Sequence, residues 1–211
     1  MDFEKLKIAQ TSEEIHPILA KRWSPRAFSD RIPSKEVLLS LFEAARWAAS
    51  SSNLQPWRFI VATRAEPHFE RLAAGLVSGN SWAAEAPVLM ANLVQNYRIT
   101  SKGERRPNPH AWHDLGLAMG NLSAQATNLA LHLHQMAGIK PETIAENFKI
   151  NTDDFDVVSM VALGYHDPDA VEKNLSEAKR QSEKASRKRK ELEELLSGES
   201  WQQAPDWLKQ A

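Results

Sequence analysis

Hydrophobic and polar positions follow two periods along this chain, and the changes between them mark the elements. Residues 1–21 read as an amphipathic helix that leads into the turn-rich stretch KRWSPRAFSDRIPS. A helix is predicted from Ser34 to Ala49. Ser34 serves as N-cap, Glu36 lies in the first turn, and Val37, Leu38, Leu41, Phe42, Ala45 and Ala48 recur at helical spacing. SSSNLQP ends it. The runs WRFIVAT (57–63), PVLMANLV (87–94) and VVSMVALG (157–164) are apolar on both alternating faces, which predicts central, covered strands. An Ala-rich helical segment is expected near 66–77. The polar, Pro-containing stretch 98–112 reads as a mobile loop.

The longest helical pattern runs from Asp114 to Ala137 and ends at Gly138, a suitable C′ residue. Leu115, Met119, Leu122, Ala126, Leu129, Leu133 and Met136 follow a 4, 3, 4, 3, 4, 3 spacing, that of a coiled-coil seam. Leu117, Ala124 and Leu131 add a second stripe. Such a helix can be the core helix of one monomer, or it can face a twin subunit; spacing alone leaves both open. After Pro168 the composition shifts to helix formers and charges. The basic run KASRKRK is compensated at once by ELEELL, so it reads first as a solvated helix face.

Composition narrows the function classes. The chain has 211 residues with 42% hydrophobic and 25% charged, enough for one domain with a substantial core. A formal net charge of −1 gives no footprint for nucleic acid. With no cysteine there is no disulfide framework, Cys-based zinc site or thiol nucleophile. The N-terminal MDFEKLKIAQ lacks an apolar signal core, and no apolar run approaches the ~20 residues of a membrane span. A cytoplasmic protein without membrane partners is expected.

The sequence contains no G-x-G-x-x-G, Walker A or G-x-S-x-G motif. His132 and His134, two apart on a helix, would point to different sides, and His110 and His113 lack a third ligand nearby, so no metal is expected. Two segments remain. In Arg22-Trp23-Ser24-Pro25-Arg26, two guanidinium groups flank a hydroxyl within five residues. Arginine forks suit a phosphate ester of charge about −1.5 to −2. In Ser50-Ser51-Ser52-Asn53-Leu54-Gln55-Pro56-Trp57, hydroxyl and amide groups offer donors and acceptors to the edge of a polar heterocycle. Each segment also reads as an ordinary surface turn. Together they point to a nucleotide-like cofactor.

The blocks R-W-S-P-R-A-F, A-A-R-W-A-A-S-S-S-N-L-Q-P-W-R-F-I-V, H-Q-M-A-G-I and V-A-L-G-Y, in this order, resemble the FMN-dependent nitroreductase family across roughly residues 15–200. The resemblance implies an α+β fold: a central, mostly antiparallel sheet flanked by helices, in a homodimer with a long core helix. The whole chain, 1–211, would be one domain, with 169–211 a charged helical tail packing on the dimer. It assigns Arg22, Trp23, Ser24 and Arg26 to the ribityl-phosphate side of FMN, with Ser50, Ser51, Asn53 and Gln55 near its ring system. Ala137 and Gly138 would bring backbone close to the flavin N5 edge, where a small residue permits approach. Arg187 and Arg189 match the basic pair that completes the phosphate site.

The implied chemistry is hydride transfer from NADH or NADPH through FMN to a small-molecule acceptor such as a nitroaromatic or quinone, without a catalytic side chain. The alternatives are a specialised dehydrogenase or reductive dehalogenase of the same fold acting on a natural metabolite, or a non-catalytic flavin binder. Tyr97, His110 and Trp112 are candidate substrate contacts by position. The chain departs from the family pattern in having Trp23 where many members carry a second arginine, Ala49 where many carry proline, and His166 after Gly-Tyr. It also lacks the usual proline after the tail's basic pair.

Overall fold

A computed structural model describes residues 1–210. In chain order the elements are α1 (Phe3–Leu6), α2 (Pro17–Lys21), α3 (Lys35–Arg46), β1 (Trp57–Thr63), α4 (Phe69–Ala73), β2 (Val88–Gln95), β3 (Tyr97–Ile99), β4 (Arg105–Pro107) and α5 (Ala111–Asn128). They continue with β5 (His132–Met136), α6 (Pro141–Phe148), β6 (Phe155–Gly164), α7 (Pro168–Asn174), α8 (Glu177–Lys184) and α9 (Leu192–Leu195). The main sheet has the order β1-β2-β6-β5 and every pairing in it is antiparallel. No helix among the described residues is long and apolar enough to cross a membrane.

Period-two alternation in β2 divides the core. Leu89, Ala91 and Leu93 face a cluster with Phe3, Trp23, Phe28, Phe69, Leu72 and Trp82. Val88, Met90 and Val94 face the opposite cluster, built with Leu41 and Ala45 of α3 and Leu115, Met119 and Leu122 of α5. β2 is buried on both faces, as its unbroken apolar run predicts. β1 is an edge strand with an exposed Arg58, so the expectation of three central strands holds only for β2 and β6. α3 forms as read, with Ser34 Oγ accepting from the Val37 N–H at 3.4 Å.

Four other expectations are corrected. The first 21 residues form two short helices rather than one, because Pro17 starts α2 at its first position and the His16 ring nitrogen caps it. The stretch 98–112 is not a loop throughout: β3 and β4 pair as a hairpin whose turn includes Gly103 at φ 77°.

The long helix ends at Asn128, not at Gly138. Ala130 takes a left-handed φ of 56° and the Leu131 N–H bonds back to the Ala126 carbonyl at 2.8 Å, which closes the helix; β5 then begins. The heptad count runs on across this turn because Leu131 and Leu133 are buried on alternate positions of a strand. Strand geometry also reverses the reading of His132 and His134. Two apart in β5, they share one face of the sheet, and contact Trp23 and Trp82 respectively. Even so, among the described residues no three His, Cys, Asp or Glu side chains group as metal ligands.

Candidate active site

From Arg22 to Ala27 the chain alternates in burial as an extended strand does. Trp23, Pro25 and Ala27 are buried, while Arg22, Ser24 and Arg26 lie on the other, half-buried side. Trp23 stacks on Phe3 with 6.3 Å between ring centroids and meets His132 and His166 edge-on. Its indole is therefore a core anchor, and only its backbone lies along the Arg22–Arg26 strand with the half-buried side chains. On the half-buried side, Arg22 Nη1 donates to Ser24 Oγ at 3.2 Å.

The tail returns to this segment. Arg187 donates from Nη1 to the Arg22 carbonyl and from Nη2 to the Ala20 carbonyl at 2.6 Å. Arg189 follows two residues later. The stretch between α8 and α9 that carries both arginines is not helical, contrary to the helix expected over the whole tail. Arg22, Arg187 and Arg189 line one cavity of about 530 Å³, with Ile15, Leu19 and Leu192 among its apolar walls. None of the three guanidinium groups has a carboxylate at ion-pair distance among the described residues. Burial holds the Arg22 guanidinium below its ordinary pKa, and Arg189 adds repulsion. Arg187 is depressed by burial, then by Arg22 and Arg189. Glu13 and Glu191 also line the cavity, but neither pairs with these three arginines among the described residues, so like charges face one another in a site that an anion would relax.

Arg26 belongs elsewhere. Its N–H donates to Glu183 Oε1 at 2.6 Å and its guanidinium lies 5.9 Å from the Trp82 ring centroid. The structure thus separates Arg26 from the Arg22 cluster and brings Arg187 and Arg189 into it.

The second segment is a tight turn. Ser51–Asn53 form one 3₁₀ turn, and Ser52, Asn53 and Gln55 all have positive φ, at 52°, 54° and 47°. Non-glycine residues in this region cost of order 1–3 kcal/mol each, so surrounding bonds must hold them. The Ser51 N–H donates to Asp114 Oδ2 at 3.0 Å, and the Gln55 N–H to Ser50 Oγ at 3.1 Å. Gln55 Nε2 bonds Asn53 at its carbonyl and its Oδ1. Asp114, 1% exposed in the first turn of α5, is the anchor that sequence reading missed, where it marks only the start of the longest helical pattern. The side chains of Ser52, Asn53 and Gln55 point to the exterior, and no residue of 50–55 lines the Arg22 cavity.

With both segments placed, likeness to known proteins can be weighed. The nitroreductase family model matches residues 19–165, more than half of the chain. This chain belongs to the nitroreductase family.

A crystal structure described as an oxidoreductase containing FMN aligns with a TM-score of 0.85 at 33% identity, covering 91% of this chain and 95% of that one. The major NAD(P)H-flavin oxidoreductase of Aliivibrio fischeri is 26% identical, with 72% of this chain and 89% of that protein covered. A nitroreductase family protein from Clostridium difficile 630 shares the fold, with a TM-score of 0.66 at 22% identity over 87% of this chain and 97% of that one.

In this family member, Ala137 and Gly138 are exposed and follow β5 directly. A Cβ at Gly138 would come within 2.8 Å of Asn80 Nδ2, which donates to the Gly138 carbonyl at 2.8 Å, so the glycine admits an amide of the same chain. Tyr97 lies under Arg105, 3.9 Å from guanidinium carbon to ring centroid, and both line an open depression. Trp112 Nε1 donates to Asp156 Oδ2 at 3.0 Å, from the rim. His110 precedes α5 and is exposed. The three candidate substrate residues do not share one cavity.

His132 and His134, set aside as a metal pair in the sequence, form with His166 a group packed against Trp23 and Trp82. Burial lowers the pKa of His132, His134 and His166 from 6.5 to about 4 each, so all three are neutral at pH 7. After burial, His166 and Arg22 act on His132, and Arg26 on His134. For His166, Asp167 opposes the shift and Lys7 adds to it.

Proposed function

We propose that this nitroreductase-family chain is an NAD(P)H-dependent flavin oxidoreductase that holds FMN by its phosphate at Arg22, Ser24, Arg187 and Arg189. The observation that carries this reading is the cavity with three guanidinium groups and, among the described residues, no carboxylate paired to them. That donor set suits a phosphate ester. When bound, FMN would supply the hydride chemistry, with NADH or NADPH as donor and a nitroaromatic, quinone or related electrophile as acceptor. The chain's own work is to bind and orient. Arg22 is set by Ser24 and by the tail on its carbonyl, and the strained Ser51–Gln55 turn presents amide and hydroxyl groups outward, suited to a heterocycle edge.

No residue of the 50–55 turn lines the Arg22 cavity, which supports closure by a second copy. α5 has a face suited to that contact: Trp112 and Leu117 are exposed beside Gly116 and Gly120, where an added Cβ would meet nothing. In this homodimer the Ser50–Gln55 turn of each subunit would reach the FMN held by the other's arginines. Tyr97 and Trp112, on the β3–α5 side, would shape the acceptor's approach.

Fluorescence quenching of FMN titrated with the purified chain tests the clamp. Arg22→Ala should weaken binding by about tenfold or more, the range of a lost charge-assisted hydrogen bond. Equal affinity in the two proteins would remove Arg22 from the site. Sedimentation should give a dimer; a monomer that still reduces acceptors would overturn closure by a second copy.

A further inference from the structure

α8 is docked in an unusual way. Its single buried residue is Glu183, 2% exposed, and the rest of its sequence, EAKRQSEK, presents no large apolar side chain. Helices ordinarily dock through an apolar stripe. This one has a carboxylate, placed in the last turn, where the helix dipole disfavours negative charge. Burial raises the Glu183 pKa, which reflects the cost of desolvating the charge there. A leucine at this position would bury area without that cost. What only the acid provides is direction: Oε1 accepts the Arg26 N–H at 2.6 Å, a bond to the backbone of the clamp strand itself.

Its surroundings continue the pattern. Lys7, 5% exposed, donates from Nζ to the Ala185 carbonyl at 2.6 Å, placing a cation where the C-terminal end of α8 favours one. Arg26 Nη1 adds contacts to Glu183 at 3.7 Å and to Ser182 Oγ at 3.4 Å. Four residues beyond Glu183, Arg187 reaches the carbonyls of Ala20 and Arg22, and Arg189 is two residues further. The links of α8 to α7, from Arg180 and Lys184 to Glu172, involve side chains at least 30% exposed and contribute little. Meanwhile Arg22, Arg187 and Arg189 repel one another, so the tail needs an anchor upstream of its arginines.

We propose that Glu183, supported by Lys7, is the positioning residue of the phosphate clamp: by fixing α8 to the Arg26 backbone it sets Arg187 and Arg189 beside Arg22. The proposal rests on the FMN reading for its ligand but not for its geometry. Glu183 touches no cofactor. It acts through the tail, and its removal weakens phosphate recognition while leaving recognition of the ring system intact.

The test uses the full-length chain, wild type, Glu183→Gln and Glu183→Asp, in two arms. In the first, without added cofactor, trypsin cleavage at Arg187 and Arg189 is followed by mass spectrometry. Glu183→Gln should be cut severalfold faster there than wild type, with Glu183→Asp between them. Equal cleavage rates would overturn the proposal. In the second, affinities for FMN and for riboflavin, which lacks the phosphate, are compared. Glu183→Gln should lose between about tenfold and a hundredfold for FMN, the range of a charge-assisted hydrogen bond, with riboflavin affinity unchanged. Equal losses for both ligands would mean general destabilisation and refute a positioning role. Should wild type bind both ligands equally while the first arm succeeds, the phosphate reading fails, and the ligand half of the proposal with it.

Discussion

Lowering the pH should destabilise this protein through its three buried histidines. His132, His134 and His166 have folded pKa values of about 4 against 6.5 in the unfolded chain. Their contribution is therefore fully present above pH 6.5 and is lost as pH falls toward 4, because the unfolded state takes up protons that the folded state refuses. At pH 5 this difference amounts to about 2 kcal/mol for each histidine, at 1.36 kcal/mol per pKa unit. Three together reach about 6 kcal/mol, within the range of about 5–15 kcal/mol that holds an ordinary domain folded. Glu183 acts in the opposite sense, since its raised pKa favours the folded state as pH falls, so the net loss is somewhat smaller.

Urea unfolding of the cofactor-free chain at pH 7.5 and pH 5 measures this directly. His166→Leu provides the internal control: His166 Nε2 is buried without a hydrogen-bond partner among the described residues, and the ring packs against Phe3 and Trp23. The variant should show a pH-dependent loss about 2 kcal/mol smaller than wild type. A wild-type loss under about 1 kcal/mol, or an equal loss in the variant, would refute buried neutral histidines as the cause.

Asp114→Asn should loosen the 50–55 turn, costing about 1.5–3 kcal/mol for the bond from the Ser51 N–H, and hydrogen exchange at Ser51 and Asn53 should accelerate while β2 stays protected. Gly75→Ala should cost about 1–3 kcal/mol in thermal unfolding, because the new Cβ would lie 2.5 Å from Cγ1 of the fully buried Ile144. Arg187→Ala should lower both stability and FMN affinity, since this side chain ties the tail to Ala20 and Arg22. Arg189→Ala should lower affinity alone, because Arg189 donates only to its neighbour Lys188.

Elements whose cause is local were legible in the sequence. Ser34 caps α3 as read, and the unbroken apolar run of β2 is a central strand. The order of the blocks around Arg22, Ser51 and Gly164 carried the family. What was not legible depends on contacts between distant residues. Nothing in Asn128-Leu129-Ala130 announces a helix end, and only pairing of Leu133 with Leu163 converts the next five residues into a strand. That strand then turns His132 and His134 to one side. Glu183 and Lys7 sit in charged stretches where the burial of a single charged residue has no periodic signature, and Asp114 looks like any first-turn acid until Ser51, 63 residues earlier, is folded onto it. The burial of the Trp23 indole was not legible either: an extended strand sends alternate side chains to opposite sides, and its parity is that of the core.

The most direct measurement is the absorbance spectrum of the FMN-loaded protein under anaerobic conditions, before and after stoichiometric NADH or NADPH. A flavin band that bleaches with one of the nucleotides and returns on adding a quinone or nitroaromatic is the expected result. A chain that takes up no FMN, or one whose bound flavin neither nucleotide reduces, would contradict its assignment as an NAD(P)H-dependent flavin oxidoreductase.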